Sequence, residues 1–289
     1  MGELAPGRTD PPPGNGLKMA VVGKGGSGKT MLAATMTRIL ASTGKARVLA
    51  IDADSAVGLP YALGVEVQRT VSDLRNELID DPRARREAQD RHASCLIGAI
   101  LQRGRGFDLL VMGRPEGPGC YCAINDLLRY AIDTFSRSYD VTLIDCEAGP
   151  EQVNRRVVSG VGLLMIVTDP SMRGLRVAGS IWDVVRRDEH MKSTRVGLVM
   201  NRLRLGDNDR AMAESAARMG LEVMGRVPED EDVARWDAAG RPLVDMPASS
   251  PSVDAIGGIL RMLLPGSMTQ APEMGRSCGL RRRVNTETE

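Results

Sequence analysis

Lys18-Met19-Ala20-Val21-Val22-Gly23-Lys24-Gly25-Gly26-Ser27-Gly28-Lys29-Thr30 carries two signals in succession. Lys18 to Gly23 is a short apolar run ending in glycine, which predicts a buried strand feeding straight into a loop. From Thr30 to Ser42 the apolar residues fall at helical spacing. Between strand and helix, the glycines of Gly23 to Thr30 let successive backbone N–H groups turn toward phosphate oxygens, and the positive end of the helix dipole adds to the attraction. Gly25, Gly26, Ser27, Gly28, Lys29, Thr30 and Met31 are therefore the expected nucleotide-binding residues. Lys29 is expected on the terminal phosphates and the Thr30 hydroxyl on Mg²⁺. The expected ligands are ATP and its hydrolysis product ADP.

Outward from this loop, apolar runs recur at Arg47 to Ile51, Phe107 to Gly113, Val141 to Ile144, Gly162 to Thr168, Val196 to Met200 and Val223 to Val227, separated by segments of helical period. This alternation predicts an α/β fold, a mostly parallel twisted sheet flanked by helices, formed as one P-loop domain over residues 17–265. The chain of 289 residues, 42% hydrophobic, is long enough for one sizeable core. Crossovers between parallel strands are right-handed and ligands sit at the carboxyl ends of the strands, so motifs that follow each run should converge on one edge of the sheet.

Two such motifs carry carboxylates. In Ile51-Asp52-Ala53-Asp54, Asp54 is expected near the γ-phosphate, orienting the attacking water, while Asp52 reads equally well as a helix cap. In Leu143-Ile144-Asp145-Cys146-Glu147-Ala148-Gly149, Asp145 is expected to hold Mg²⁺ through water, with Gly149 permitting a mobile switch. Lys24, Lys29, Asp54 and Asp145 are the expected catalytic set. Further along, Asn201 and Arg202 close a strand with an amide whose paired donor and acceptor suit a base edge, and Pro228 follows the last strand where it could wall the base pocket.

Composition excludes several classes. The formal net charge of +1 gives no global drive toward nucleic acid or anionic lipid, so neither nucleic-acid binding nor a membrane anchor is expected. Residues 1–16 are Pro/Gly-rich without the apolar core of a signal peptide and read as a disordered lead; residues 266–289 read as a flexible basic tail. No apolar run approaches membrane-spanning length, and five scattered cysteines fit a reducing compartment, so the expected location is cytoplasmic.

Cys120-Tyr121-Cys122, placed where a loop leaves a strand and enters a helix, narrows the reading. Cysteines this close rarely form a comfortable disulfide, and as ligands they make only half of a tetrahedral site. A twofold dimer supplies the other half, because an isologous interface sets the same pair on both sides of its axis. The expected site holds one metal per homodimer; thiolates favour zinc and also accept nickel or copper(I).

With Lys24 just after its first glycine, the loop resembles the deviant Walker A family, which includes the MinD and ParA ATPases, the arsenite-pump ATPase and the nitrogenase iron protein. The flexible lysine stem points away from its own phosphates and is placed to reach nucleotide on a facing subunit. In that family the corresponding lysine crosses a nucleotide-sandwich dimer, the asparagine at the place of Asn201 reads adenine, and the loop containing Pro228 packs near the base. The run around Cys120 and Cys122, with Asp145 to Arg156 and Thr168 to Arg176, resembles more closely the CooC group of nickel-handling ATPases. That resemblance implies ATP-gated dimerisation coupled to Ni²⁺ or Zn²⁺ capture, with carbon monoxide dehydrogenase or acetyl-CoA synthase as the client.

Three rivals stay open. An iron-sulfur reductase needs a second cluster cysteine past the switch glycine, and no cysteine lies between Cys146 and Cys278. A MinD- or ParA-like positioning ATPase needs no metal, and transcriptional regulation would use the basic tail. His92 and His190 read as solvated, Cys95 as buried packing, Cys278 as incidental, Trp236 as packing, and Arg155, Arg156, Arg173 and Arg176 as interface contacts.

Overall fold

The computed structural model describes residues 16–83, 86, 93–114, 121–154, 157–204, 206 and 209–269. The expected lead up to Asn15, the tail from Gln270, and His92, Cys120, Arg155, Arg156 and Cys278 lie outside these. A sheet of eight strands runs in the order β3-β4-β2-β5-β1-β6-β7-β8. The strands are β1 (Leu17–Gly23), β2 (Val48–Ala53), β3 (Gln102–Arg103), β4 (Phe107–Val111), β5 (Val141–Cys146), β6 (Leu163–Thr168), β7 (Arg195–Leu203) and β8 (Val223–Pro228). All pair in parallel except β3 with β4.

The seven parallel strands are the seven apolar runs. Their centres are buried on both faces, except on the outer strand β8 where Arg226 is exposed, which is why they read as continuous hydrophobic stretches. Alternate residues still serve different cores: Met19 and Val21 of β1 face one cluster, Ala20 and Val22 the other. The first cluster is closed by α1 (Lys29–Ser42) and the helices Leu59–Leu63 and Pro251–Leu263; the second by Val71–Asp80, Tyr121–Phe135 and Met172–Val185, among others. A one-residue slip of β1 would exchange the two sets, so the register is strongly specified.

Strand β3 was not expected. Two residues carry no periodicity; the strand pairs antiparallel with β4 and is anchored further by a side chain. Gln102 donates through Nε2 to the carbonyls of Arg69 (3.0 Å) and Ile100 (2.8 Å) and accepts the Gln68 N–H (3.1 Å). The short helix Gly266–Thr269 falls in the stretch expected as tail and packs against Pro251–Leu263 and α1. Cys95, expected to be buried, is exposed on the helix Ala93–Gly98, because Ile97 takes the inward position.

Because the large strands are parallel, their carboxyl ends share one edge. Gly23, Ala53, Val111, Cys146, Thr168, Leu203 and Pro228 end there, each followed by a segment singled out in the sequence.

Candidate functional site

β1 delivers the chain into the glycine-rich loop, and Gly28 serves as the N-cap of α1 with no side-chain cap. The first-turn N–H groups of a helix have no intrahelical partner, and here no side chain takes them, which leaves them for a ligand. Gly28 has φ +93°, and a Cβ there would stand 2.1 Å from Asn201 Nδ2, so the position requires glycine on both counts. Lys29 is buried, its Nζ 3.4 Å from the Lys24 carbonyl. The Gly149 N–H donates to the Gly23 carbonyl at 3.0 Å, tying the segment after β5 to the loop.

Asp52 and Asp145 are register partners on β2 and β5, buried side by side. Burial pushes the Asp52 carboxyl up to about 7, opposed by N–H donors from Asp54 (3.0 Å) and Leu59 (3.0 Å). Those two bonds make Asp52 an anchor for the turn and for the helix Leu59–Leu63, in line with the capping alternative. Burial likewise pushes Asp145 up to about 7, with the Thr30 side chain and the Lys29 charge opposing and the Asp52 charge adding. Neither Asp145 carboxylate oxygen makes a hydrogen bond of regular geometry. An acid left so poorly solvated beside the Thr30 hydroxyl has the donor chemistry of a hydrated Mg²⁺ site: two oxygens with no regular hydrogen bond among the described residues, which a cation's water shell would satisfy. Asp54 is half-buried in the turn that follows, its Oδ1 accepting the Ala56 N–H at 2.9 Å.

Among the described residues, two non-glycine residues have positive φ: Val57 (+55°) and Arg202 (+59°). Val57 sits between Asp54 and the helix Leu59–Leu63, and Arg202 follows Asn201, so both flank the loop. A β-branched residue in this region is strained, and such strain concentrates where a segment must rearrange.

Beyond Gly28 opens a cavity of about 550 Å³ lined by Met31, Asn201, Arg202, Pro228 and the helix Glu231–Ala238 through Glu231, Val233, Ala234, Asp237 and Ala238. It thus brings together Gly28, Met31, Asn201, Arg202 and Pro228. The Asn201 amide is not wholly available to a base: Nδ2 donates to the Ser27 carbonyl at 2.8 Å, and the buried Oδ1 has no partner among the described residues. Only the acceptor half faces an open need. Trp236 lies outside the lining; Arg241 stacks over its ring at 4.2 Å. His190 is exposed.

One residue without an assigned role in the sequence enters the site. Asp169, just after β6, forms an ion pair with Lys24 and accepts from the Ser171 hydroxyl. A carboxylate at a strand end on the shared edge was the available signal. Cys122 falls in the first turn of the helix Tyr121–Phe135, which the chain enters seven residues after Arg114. Among the described residues no cluster of three metal-binding side chains occurs, and no helix is long and apolar enough to cross a membrane.

Residues 18–243 match the model of the CobQ/CobB/MinD/ParA nucleotide binding domain. The chain is 36% identical over 237 residues to an uncharacterized ATP-binding protein of Methanocaldococcus jannaschii, covering 80% of this chain and 92% of the relative. It is 30% identical over 243 residues to the carbon monoxide dehydrogenase accessory protein CooC of Rhodospirillum rubrum, covering 80% and 90%. The septum site-determining protein MinD of Pyrococcus horikoshii, solved with Mg-ADP, superposes with a TM-score of 0.63 at 20% identity over 86% of this chain and 97% of that one.

Proposed function

Because the chain belongs to the CobQ/CobB/MinD/ParA nucleotide-binding family, whose members hydrolyse ATP, we propose that its ATPase cycle drives a metallochaperone. ATP closes a homodimer in which Cys120 and Cys122 of both subunits hold one nickel or zinc ion. The ion is then passed to carbon monoxide dehydrogenase or a related enzyme such as acetyl-CoA synthase. The observation that carries this reading is topological. Cys122 opens the helix Tyr121–Phe135, the element that follows β4 in the chain, and the carboxyl end of β4 shares the sheet edge that bears the nucleotide loop. Similarity to the Rhodospirillum rubrum CooC supports it.

In this cycle the amides of Gly25 to Met31 hold the phosphates and Lys29 neutralises the terminal ones. Thr30 and Asp145 would hold Mg²⁺, and the ion would supply charge neutralisation for the phosphoryl oxygens. Asp54 orients the attacking water by position and charge. Asn201 presents Oδ1 to the exocyclic amine of adenine while Arg202 and Pro228 wall the base. Lys24 extends to the nucleotide of the facing subunit. Metal affinity then differs between the ATP and ADP states, which is what a ligand-driven switch requires.

The test is metal content and oligomeric state of anaerobically purified protein, with ADP and with a slowly hydrolysed ATP analogue, after adding nickel or zinc. About one metal per dimer is expected. Cys120→Ser with Cys122→Ser should abolish it and leave ATP binding by the monomer intact. Metal stoichiometry that survives the double substitution ends the proposal. A metal-free dimer with ATP favours instead a positioning ATPase, the reading that membership of the CobQ/CobB/MinD/ParA family keeps open. That reading gains nothing from the helix Pro251–Leu263, whose apolar residues Val253, Ile256, Ile259 and Leu260 are buried against the sheet rather than offered to a membrane.

A further inference from the structure

The helix Tyr121–Phe135 buries Asn125, Leu128, Ala131 and Ile132, a stripe at helical spacing that is apolar except at Asn125. Asn125 is only 4% exposed, yet neither its Nδ2 nor its Oδ1 has a hydrogen-bond partner among the described residues. An amide buried in this way is worse for the fold than the alanine or leucine that would continue the stripe, because it gives up water and receives nothing in return.

The neighbouring helix offers no remedy. Val71–Asp80, which packs against Tyr121–Phe135, has the polar groups of its first turn committed. Thr70 and Asp73 satisfy one another in a capping box, and the Ser72 N–H and hydroxyl both donate to the Met112 carbonyl at 2.9 Å. The orphan amide stands about one helical turn after Cys122. Positions three apart in a helix are neighbours on one face, about 5–6 Å between Cβ atoms. Long helical side chains lean toward the N-terminus, over the positions three and four residues earlier. The position of Cys122 is therefore within reach of a donor at 125, and a metal-bound thiolate is an acceptor for a carboxamide N–H.

We propose that Asn125 is a positioning residue for the cargo metal: when Cys122 takes up the ion as a thiolate, the Asn125 amide donates to its sulfur and fixes it. This rests on the metallochaperone reading above. The metal-free chain then keeps an unsatisfied amide that the loaded site satisfies, so the fold gives up stability at this position in favour of binding.

The test compares the full chain with Asn125→Ala and Asn125→Leu, all purified anaerobically. Without metal, Asn125→Ala should melt at or above the temperature of the unaltered chain and Asn125→Leu about 3–6 °C above it, since each removes the unpaired amide. Alanine keeps the test decisive where leucine crowds the core. Nickel ions titrated against a chromophoric chelator, in the presence of a slowly hydrolysed ATP analogue, should bind both variants at unchanged stoichiometry but about tenfold to a hundredfold more weakly. The nickel–thiolate absorption should also move to longer wavelength, because a sulfur that loses a hydrogen bond gives up its electrons more readily. Either a melting point several degrees lower for Asn125→Ala, or nickel affinity and absorption equal to those of the unaltered chain, would make Asn125 a packing residue and leave the metallochaperone reading standing. If the unaltered chain takes up no nickel, that reading falls and this one with it.

Discussion

Asp52 and Asp145 put two carboxyls side by side in the interior at the end of the sheet, and burial raises both to about 7 from 3.8. The sign of the consequence follows from linkage. The unfolded chain releases these protons near pH 4, whereas the folded, nucleotide-free chain holds them to about 7. Their contribution to stability is therefore fully present below the unfolded pKa and is lost as pH rises through the folded one. The nucleotide-free protein should melt at lower temperature at pH 8 than at pH 5, with a contribution on the order of a few kcal/mol per group. Asp52→Asn removes one of the two groups and should visibly flatten that dependence; thermal melts across the interval would refute the account if the slope were unchanged. At this scale the loop from Gly23 to Thr30 was legible because eight consecutive residues specify one backbone path. The division of Asn201 into a committed donor and an open acceptor was not, since its partner, the Ser27 carbonyl, is distant in sequence. Nor was the pairing of Asp169 with Lys24, which only strand register brings about.

The elements that were read correctly are those whose pattern is local. β1, β2 and β4 to β8 announce themselves as apolar runs, while β3 is a two-residue antiparallel pairing with β4, anchored by the hydrogen bonds of one glutamine side chain. A second element of this kind joins two helices through one carboxylate. Asp230 caps the helix Glu231–Ala238 by accepting the Asp232 N–H (2.9 Å). Its other oxygen accepts from the Ser250 hydroxyl (2.6 Å), the Ser252 N–H (3.0 Å) and the Ser252 hydroxyl (2.6 Å) at the start of Pro251–Leu263. Although burial alone would raise it, the bonds from Ser250 and Ser252 hold this carboxyl below its usual range. Its stabilisation is therefore present above the unfolded pKa and lost as pH falls through the folded one. Asp230→Ala removes a cap, leaves buried Ser252 without its acceptor and leaves Ser250 only the longer contact to Asp232 (3.3 Å), which should cost about 2–3 kcal/mol in urea unfolding at neutral pH. The cost should shrink on acidification; a loss that stays constant down to pH 3 would contradict the assignment.

At the scale of the whole molecule, sequence pattern fixed one α/β body but not how the two ends of the nucleotide site communicate. The end proposed for the phosphates is bordered by Asp54, Val57 and the helix Leu59–Leu63, and the cavity proposed for the base by the helix Glu231–Ala238. One short turn, Leu243–Asp245, touches both helices and α1, a contact that no local periodicity could reveal. Gly64, which closes the helix Leu59–Leu63, meets that segment directly: a Cβ would stand 3.0 Å from Cβ and Cγ of Pro242. Gly64→Ala should therefore act twice. The left-handed backbone, φ +62°, costs about 1 kcal/mol for alanine, and crowding Pro242 adds about as much again. Pro242 moves with the turn, so the base pocket should loosen and ATP affinity fall about threefold to tenfold, although Gly64 lines neither end of the site. Gly44 provides the control, with φ +63° and nothing within 4 Å of an added Cβ. Gly44→Ala carries the backbone cost alone and should leave ATP affinity untouched. Calorimetric titration of both variants decides the matter: equal affinities would mean that the turn is only a packing contact. A deficit confined to Gly64→Ala would mean that the Asp54 loop and the base helix respond to nucleotide together.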